Sequence, residues 1–250
     1  MSAVPSEYTP EELMAVLISR EVRDLETVGV GALSPIPAAG CILAEMLHAP
    51  RIRLIILGSK EYDPFPFGGS ELHFLAQRGE MDLFFLSGLQ IDRRGNINLH
   101  VIGDYHAPKI RMPGAFGSAV LYYMARRVIL FRAEHTRRIF VEKVDFITAP
   151  GVTPESVHRE GGPSKVITPK GILTWDRQEK EWFLTGINPG SSLEDLKENT
   201  GFPLRVAPAL EMTPPPTEKE LATLRTAVAK KLSTIYPDFV AQKILRPPGV

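Results

Sequence analysis

The sequence predicts an α/β protein built on a single open mixed sheet flanked by helices. Short aliphatic runs such as RLIILG and DLFFLSG, which suit strands buried on both faces, alternate with helical stretches in the first half. From KVIT onward strands outnumber helices and are joined by short turns, so an antiparallel part is added to a parallel one. The 250 residues are 44% hydrophobic and show no internal repeat or clear boundary, which suits one domain over 1–250.

The first helix is announced by TPEELMAVLISREVRD, with Thr9 as N-cap, Pro10 at the first helical position and Glu12 completing a capping box. ETVGVGA reads as a strand running into glycines, IPAAGCILAEMLHA as a buried helix and RLIILG as the next strand, a β-α-β rhythm. SELHFLAQRG reads as a short helix and DLFFLSG as another buried strand. QIDRRGNINLHVIG reads as a turn at Gly95-Asn96 leading into an alternating strand. The helix SAVLYYMARR, the strand VILFRAE and the segment RRIFVEKV come next. KVIT, GILTW and EWFLTGI are strands, with DRQEKE as a polar turn. SSLEDLKENTG is a capped helix stopped at Gly201. After a linker at about 212–216, Thr217 and Glu220 form a second capping box that opens a helix EKELATLRTAVAKKLSTIY. That helix packs on the core or across a subunit contact. RPPGV reads as a frayed tail.

Composition excludes several classes of function. Twenty-nine basic and twenty-nine acidic side chains cancel without long blocks of either sign, so no footprint for nucleic acid or an anionic membrane is visible. The single Cys41 excludes an internal disulfide and a multi-cysteine zinc site, and its apolar surroundings suit a core thiol. No apolar stretch reaches membrane-span length, and residues 1–10 lack signal-peptide character, so a soluble cytoplasmic protein without a resident metal is expected.

Four polar stretches could carry chemistry. LIILGSKEYDP places Ser59, Glu61 and Asp63 just past a strand end, where open α/β sheets bind ligands; a plain surface loop is the other reading. GDYHAPKIR, on an expected loop, offers His106 as a general base or as a satisfied structural histidine. PGAFGSA sets Gly114 and Gly117 before a helix, where backbone N–H groups could face an anion or a developing oxyanion; an ordinary loop-to-helix turn is equally open. Gln90 ends a buried strand, where its amide could donate to a carbonyl or close a hairpin hydrogen bond.

In order along the chain, LIIL, GLQIDRRGNIN, IGDYHAPKIRMPGAFGSA, RRIFVEKVDFITAPG, VITPKGIL and SSLEDLKENTGFPL resemble the β subunit of the glutaconate-type, family I coenzyme A transferases. The resemblance implies a coenzyme A thioester as substrate, no further cofactor, and an active site shared with a homologous α subunit in an αβ or α2β2 assembly. It places the thioester carbonyl near PGAFGSA, with Gly114, Gly117 and Gln90 as oxyanion donors. Transferring members carry a nucleophilic glutamate where this chain has Gly58.

Glu61 and Asp63 lie about 10 Å or more further along an extended chain, too far to substitute unless the loop folds back. Relatives without the glutamate act on acyl-CoA by hydrolytic carbon-carbon cleavage of a cyclic thioester or by decarboxylation of a glutaconyl-type thioester. Hydrolysis would take its base from the α subunit or from His106, and Ser59, Phe65, Phe67 and Phe116 beside Gly58 are the candidate substrate-binding residues. A transferase with a relocated carboxylate and a non-catalytic partner subunit are the alternatives.

Overall fold

The computed structural model describes residues 8–66 and 69–245. In chain order the elements are α1 (Pro10–Ser19), β1 (Thr27–Val30), α2 (Pro35–Leu47), β2 (Arg53–Ile56), α3 (Ser70–Gln77) and β3 (Leu83–Leu86). Short strands β4 (Gln90–Asp92), β5 (Ile97–Asn98), β6 (Val101–Gly103) and β7 (Pro108–Arg111) follow. Then come α4 (Ser118–Met124), β8 (Arg127–Phe131), β9 (Phe140–Val141), β10 (Pro163–Ile167), β11 (Gly171–Asp176) and β12 (Glu181–Ile187). The chain continues through α5 (Leu193–Asn199), β13 (Arg205–Met212), α6 (Glu218–Thr223), α7 (Ala229–Leu232) and α8 (Pro237–Phe239).

The main sheet has eight strands in the order β13-β12-β11-β10-β8-β3-β1-β2. From β2 to β10 neighbouring strands are parallel, β10, β11 and β12 are antiparallel, and β13 runs parallel to β12. The sheet is therefore open and mixed, as the alternating strand and helix signals predict. From β1 the chain goes to β2 on one side and returns to β3 on the other, so strand order reverses at β1. In open α/β sheets the crevice beyond the strand ends at such a reversal is where ligands bind.

One face carries α1, α2 and the C-terminal helices around Leu13, Val16, Ile42, Leu224, Val228 and Leu232. The other carries α3, α4 and the small sheet β5-β4-β9, packed around Leu72, Leu121, Tyr122, Phe140 and Trp182. Thr9 and Glu12 form the expected capping box, and buried Glu12 also takes hydrogen bonds from Arg225 Nε (2.6 Å) and Nη2 (2.9 Å). The last long helix thus packs back on the core, and Arg20 ties down the proline linker by donating to the carbonyls of Pro214 and Pro215. Cys41 is fully buried, and burial pushes its thiol pKa upward, which suits a packing role.

Three local expectations change. GDYHAPKIR is a two-stranded ribbon, β6–β7, with Asp104 accepting the N–H groups of His106 and Ala107 at its tip. RVAPALEM, which carries no clear strand pattern, is the edge strand β13. Its pairing with β12 shifts register across Pro208, as an edge strand allows for a residue without an N–H donor. The last long helix is widened by a π-helical turn over Leu224–Val228, beside Thr223 and Thr226, whose hydroxyls donate to carbonyls four residues back.

His135 joins the end of β8 to the antiparallel half of the sheet. Its Nδ1 meets Thr168 Oγ1 and its Nε2 meets Thr200 Oγ1, both at 3.0 Å. Thr200 in turn donates to Leu196 O, so Nε2 is the donor; the Thr168 hydroxyl lies between Nδ1 and Gly171 O (3.2 Å), and a neutral ring is satisfied when it donates to Nδ1. Burial first, and Lys170 second, lower its pKa from 6.5 to about 4. The unfolded chain then binds more protons between these values, so stability is complete above about pH 6.5 and is lost as pH falls toward 4, by about 3 kcal/mol. Urea unfolding from pH 7 to 4 should show this loss and His135→Gln should flatten it; equal slopes in both proteins would exclude the effect.

Candidate active site

A cavity of about 390 Å³ opens at the reversal of strand order. Its walls come from the segment after β1 (Gly31 to Ser34), from Leu57 after β2, from Phe84 to Ser87 at the end of β3, and from α3, α4 and the loop before α4. The lining is mostly apolar, and among the described residues His73 is its one titratable side chain. Two of its walls, Leu33 and Phe116, are exposed apolar side chains.

Gly114 and Phe116 line the cavity, as does Ala115 between them. Gly114 (φ 114°) and Gly117 (φ 74°) are left-handed, and so is Phe116 (φ 42°), a conformation unusual for a residue with a side chain. The backbone N–H groups of residues 114–117 have no partner among the described residues, so the loop presents unspent donors. Gly117 leaves space for a neighbouring ring. A Cβ there would lie 2.2 Å from Nε2 of His73, so the loop backbone rests directly on that imidazole.

His73 is not prominent in the sequence, where it is a lone histidine in the helical run SELHFLAQ. Among the described residues its buried Nε2 has no hydrogen-bond partner, which costs about 1–3 kcal/mol unless something supplies the bond. The Phe116 ring stands 5.9 Å from it, tilted by 53°. Glu71 Oε2 is also buried and unpartnered, but residues two apart point to different sides of a helix, and Glu71 is not a cavity wall.

The other expected site residues lie elsewhere. Gln90 is held in a buried network in which its Oε1 accepts from Asn98 Nδ2 (2.8 Å) and the Asp145 N–H (2.9 Å), while Nε2 donates to Asp145 Oδ2 (3.1 Å). One amide hydrogen is left over, but Gln90 does not wall the cavity. His106 stands exposed at the ribbon tip. His100, like His73, stands near the loop, its Nε2 3.7 Å from where a Cβ at Gly114 would sit. Ser59 is buried and its hydroxyl accepts the N–H groups of Glu61 and Tyr62, a turn-forming role. Phe65 packs against the core on the α3 side without reaching the cavity, and Phe67 lies outside the described residues.

Gly58 is exposed one residue beyond the cavity wall Leu57, at φ 84°, with no described residue within 4 Å of where a Cβ would sit. The following loop does fold back: Ile56 N–H donates to Tyr62 O, Asp63 N–H to Ser59 O, and Gly58 N–H to Asp63 Oδ2 at 2.8 Å. Asp63 is therefore close to position 58, which its distance along an extended chain does not suggest. Glu61 turns away to Lys231 Nζ (2.6 Å).

An open α/β sheet with a ligand cavity at its reversal of strand order is the architecture these residues build. A family model described as coenzyme A transferase matches residues 9–199, and the chain belongs to that family. It is 33% identical over 238 residues to the B subunit of glutaconate CoA-transferase from Acidaminococcus fermentans, covering 83% of this chain and 88% of that one. The crystal structure of that glutaconate CoA-transferase superposes with a TM-score of 0.79 at 27% identity, covering 88% and 95% of the two chains. The B subunit of 3-oxoadipate CoA-transferase from Pseudomonas knackmussii is also 33% identical, over 250 residues that cover 90% and 95%. A variant of the decarboxylase AibA/AibB superposes at 25% identity with a TM-score of 0.72, covering 88% and 95%.

Proposed function

We propose that this chain is the β subunit of a two-subunit enzyme that acts on a coenzyme A thioester without covalent transfer, by decarboxylating a glutaconyl-type acyl group. Gly58 carries the reading: the position that the family resemblance gives to the nucleophile has no side chain, and no carboxylate is among the described cavity walls. Decarboxylation needs neither an attacking group nor an activated water. It needs an electron sink and a dry environment, because charge spreads as the carboxylate carbon leaves. The thioester is the sink, the free N–H groups of residues 114–117 meet its oxygen, and the apolar walls hold water away. Hydrolytic ring cleavage would ask these walls for a base to activate water, and they offer His73 alone. No cofactor beyond the substrate's own coenzyme A is called for. The exposed apolar side chains of Leu33 and Phe116 in the cavity wall suit a homologous α subunit that completes the site.

Asp63 gives a second reading some footing. Its carboxylate, 2.8 Å from the Gly58 nitrogen, is the group from which a relocated transferase nucleophile would come. The two readings separate when the assembled complex is incubated with glutaconyl-CoA and borohydride. Carbon dioxide release without a reduced enzyme adduct, with Asp63→Asn within a few-fold of wild type, supports decarboxylation. Reduction of Asp63 to homoserine by borohydride, the mark of an aspartyl–coenzyme A thioester, together with loss of many orders of magnitude in Asp63→Asn, establishes transfer.

A further inference from the structure

We propose that His73 is the proton-transfer residue of this chain, giving a proton to the carbon of the coenzyme A dienolate left when the carboxylate departs. The inference rests on the decarboxylase reading and adds the residue that finishes the reaction. Three observations meet at this imidazole. It is the one titratable side chain among the described walls of the cavity. Its Nε2 is buried against the Gly117 backbone with no hydrogen-bond partner among the described residues, so one ring nitrogen keeps an unspent hydrogen-bonding position beside the loop. The backbone of Gly117 lies against it, so a thioester oxygen held by that loop's N–H groups brings the acyl carbons alongside the ring.

The step balances. The bond from the γ-carbon to the carboxylate breaks, and its electron pair passes through the conjugated double bond to the thioester oxygen, releasing carbon dioxide. The loop N–H groups stabilise that oxygen. The imidazolium of His73 then delivers its proton to carbon, the thioester carbonyl re-forms, and the neutral ring is reprotonated from water. One proton is consumed for each carbon dioxide released.

The test reads proton transfer apart from carbon dioxide release. The complex of this chain with its α subunit is incubated in D2O with crotonyl-CoA, the product of glutaconyl-CoA decarboxylation, and deuterium entering the γ-carbon is followed by NMR. The same ring would remove and return that proton in the reverse direction. Wild type should exchange, and His73→Gln, assembled and melting like wild type, should exchange at least about 10²-fold more slowly. Should His73→Gln fail to assemble, His73→Ala is measured with and without added imidazole, and restored exchange supports the role while its absence overturns it. Absence of exchange in wild type, or unchanged exchange in folded His73→Gln, also overturns it. If His73→Gln exchanges normally while glutaconyl-CoA still loses carbon dioxide, His73 is excluded and the decarboxylase stands. Exchange that depends on His73 in a complex releasing no carbon dioxide keeps His73 and removes the decarboxylase.

Discussion

Gly117→Val is expected to lower turnover of the assembled enzyme by about 10²-fold or more, the scale of losing one oxyanion donor. A branched side chain at φ 74° strains the backbone, and its Cβ meets Nε2 of His73 at 2.2 Å, too close for either group to stay in place. The sequence alone suggests that the side chain would crowd a thioester oxygen. The structure adds the imidazole as the first obstacle, so donor loop and ring should move together. Combining Gly117→Val with His73→Ala removes the steric conflict but leaves the strained backbone, so the double variant should melt higher than Gly117→Val alone without regaining turnover. A folded Gly117→Val complex with normal turnover would reduce this loop to a structural turn.

Asp92→Ala is expected to cost about 3–5 kcal/mol of folding stability, because several buried donors converge on this carboxylate. Oδ1 accepts the N–H groups of Arg94 and Asn96, each at 3.0 Å, and Oδ2 accepts Asn96 Nδ2 at 3.0 Å and the more distant Val144 N–H. Burial raises the carboxyl pKa, and these donors oppose the rise. The turn they build presents Gly95 O to the Tyr122 hydroxyl at 2.7 Å, and Tyr122 lies on α4, directly behind the Gly114–Gly117 loop. Turnover should therefore fall along with the urea midpoint, and Asp92→Asn, which keeps one acceptor oxygen, should lose less. A midpoint within error of wild type for Asp92→Ala would show that water replaces these bonds.

The network around Asp92 also shows what the sequence could and could not say. GLQIDRRGNIN is the most specific run in the chain, and its Asp92, Gly95, Asn96 and Asn98 hold a turn and a small sheet together. Gln90 belongs to the same network, so its place at a strand end in the sequence conceals a side chain already in use. The central strands and α1 are legible because strands buried on both faces must be continuously apolar and because a capping box has fixed spacing. β13 is not, since an edge strand with an exposed face and a proline needs no such pattern.

At the site, Gly114 and Phe116 are legible from the glycines around them. His73 is not, because it meets their loop only after α3 and α4 have packed, about forty residues apart in the chain. His106 draws attention through its polar neighbours, yet those neighbours fold into a ribbon that carries it into the open.

The loop after β2 is fastened by side chains that lie to either side of residue 58. Tyr62 OH donates to Glu45 on α2, Lys231 on α7 donates to Tyr62 and Glu61, and Asp63 caps the Gly58 nitrogen. None of these fastenings uses a side chain at residue 58. A glycine codon can differ from a glutamate codon at a single base, and the left-handed backbone there would charge an acidic side chain only about 1–2 kcal/mol. On the function proposed above, descent within such a scaffold can cross between group transfer and lyase chemistry in either direction by point mutation, with the rest of the gene left to drift at its own pace.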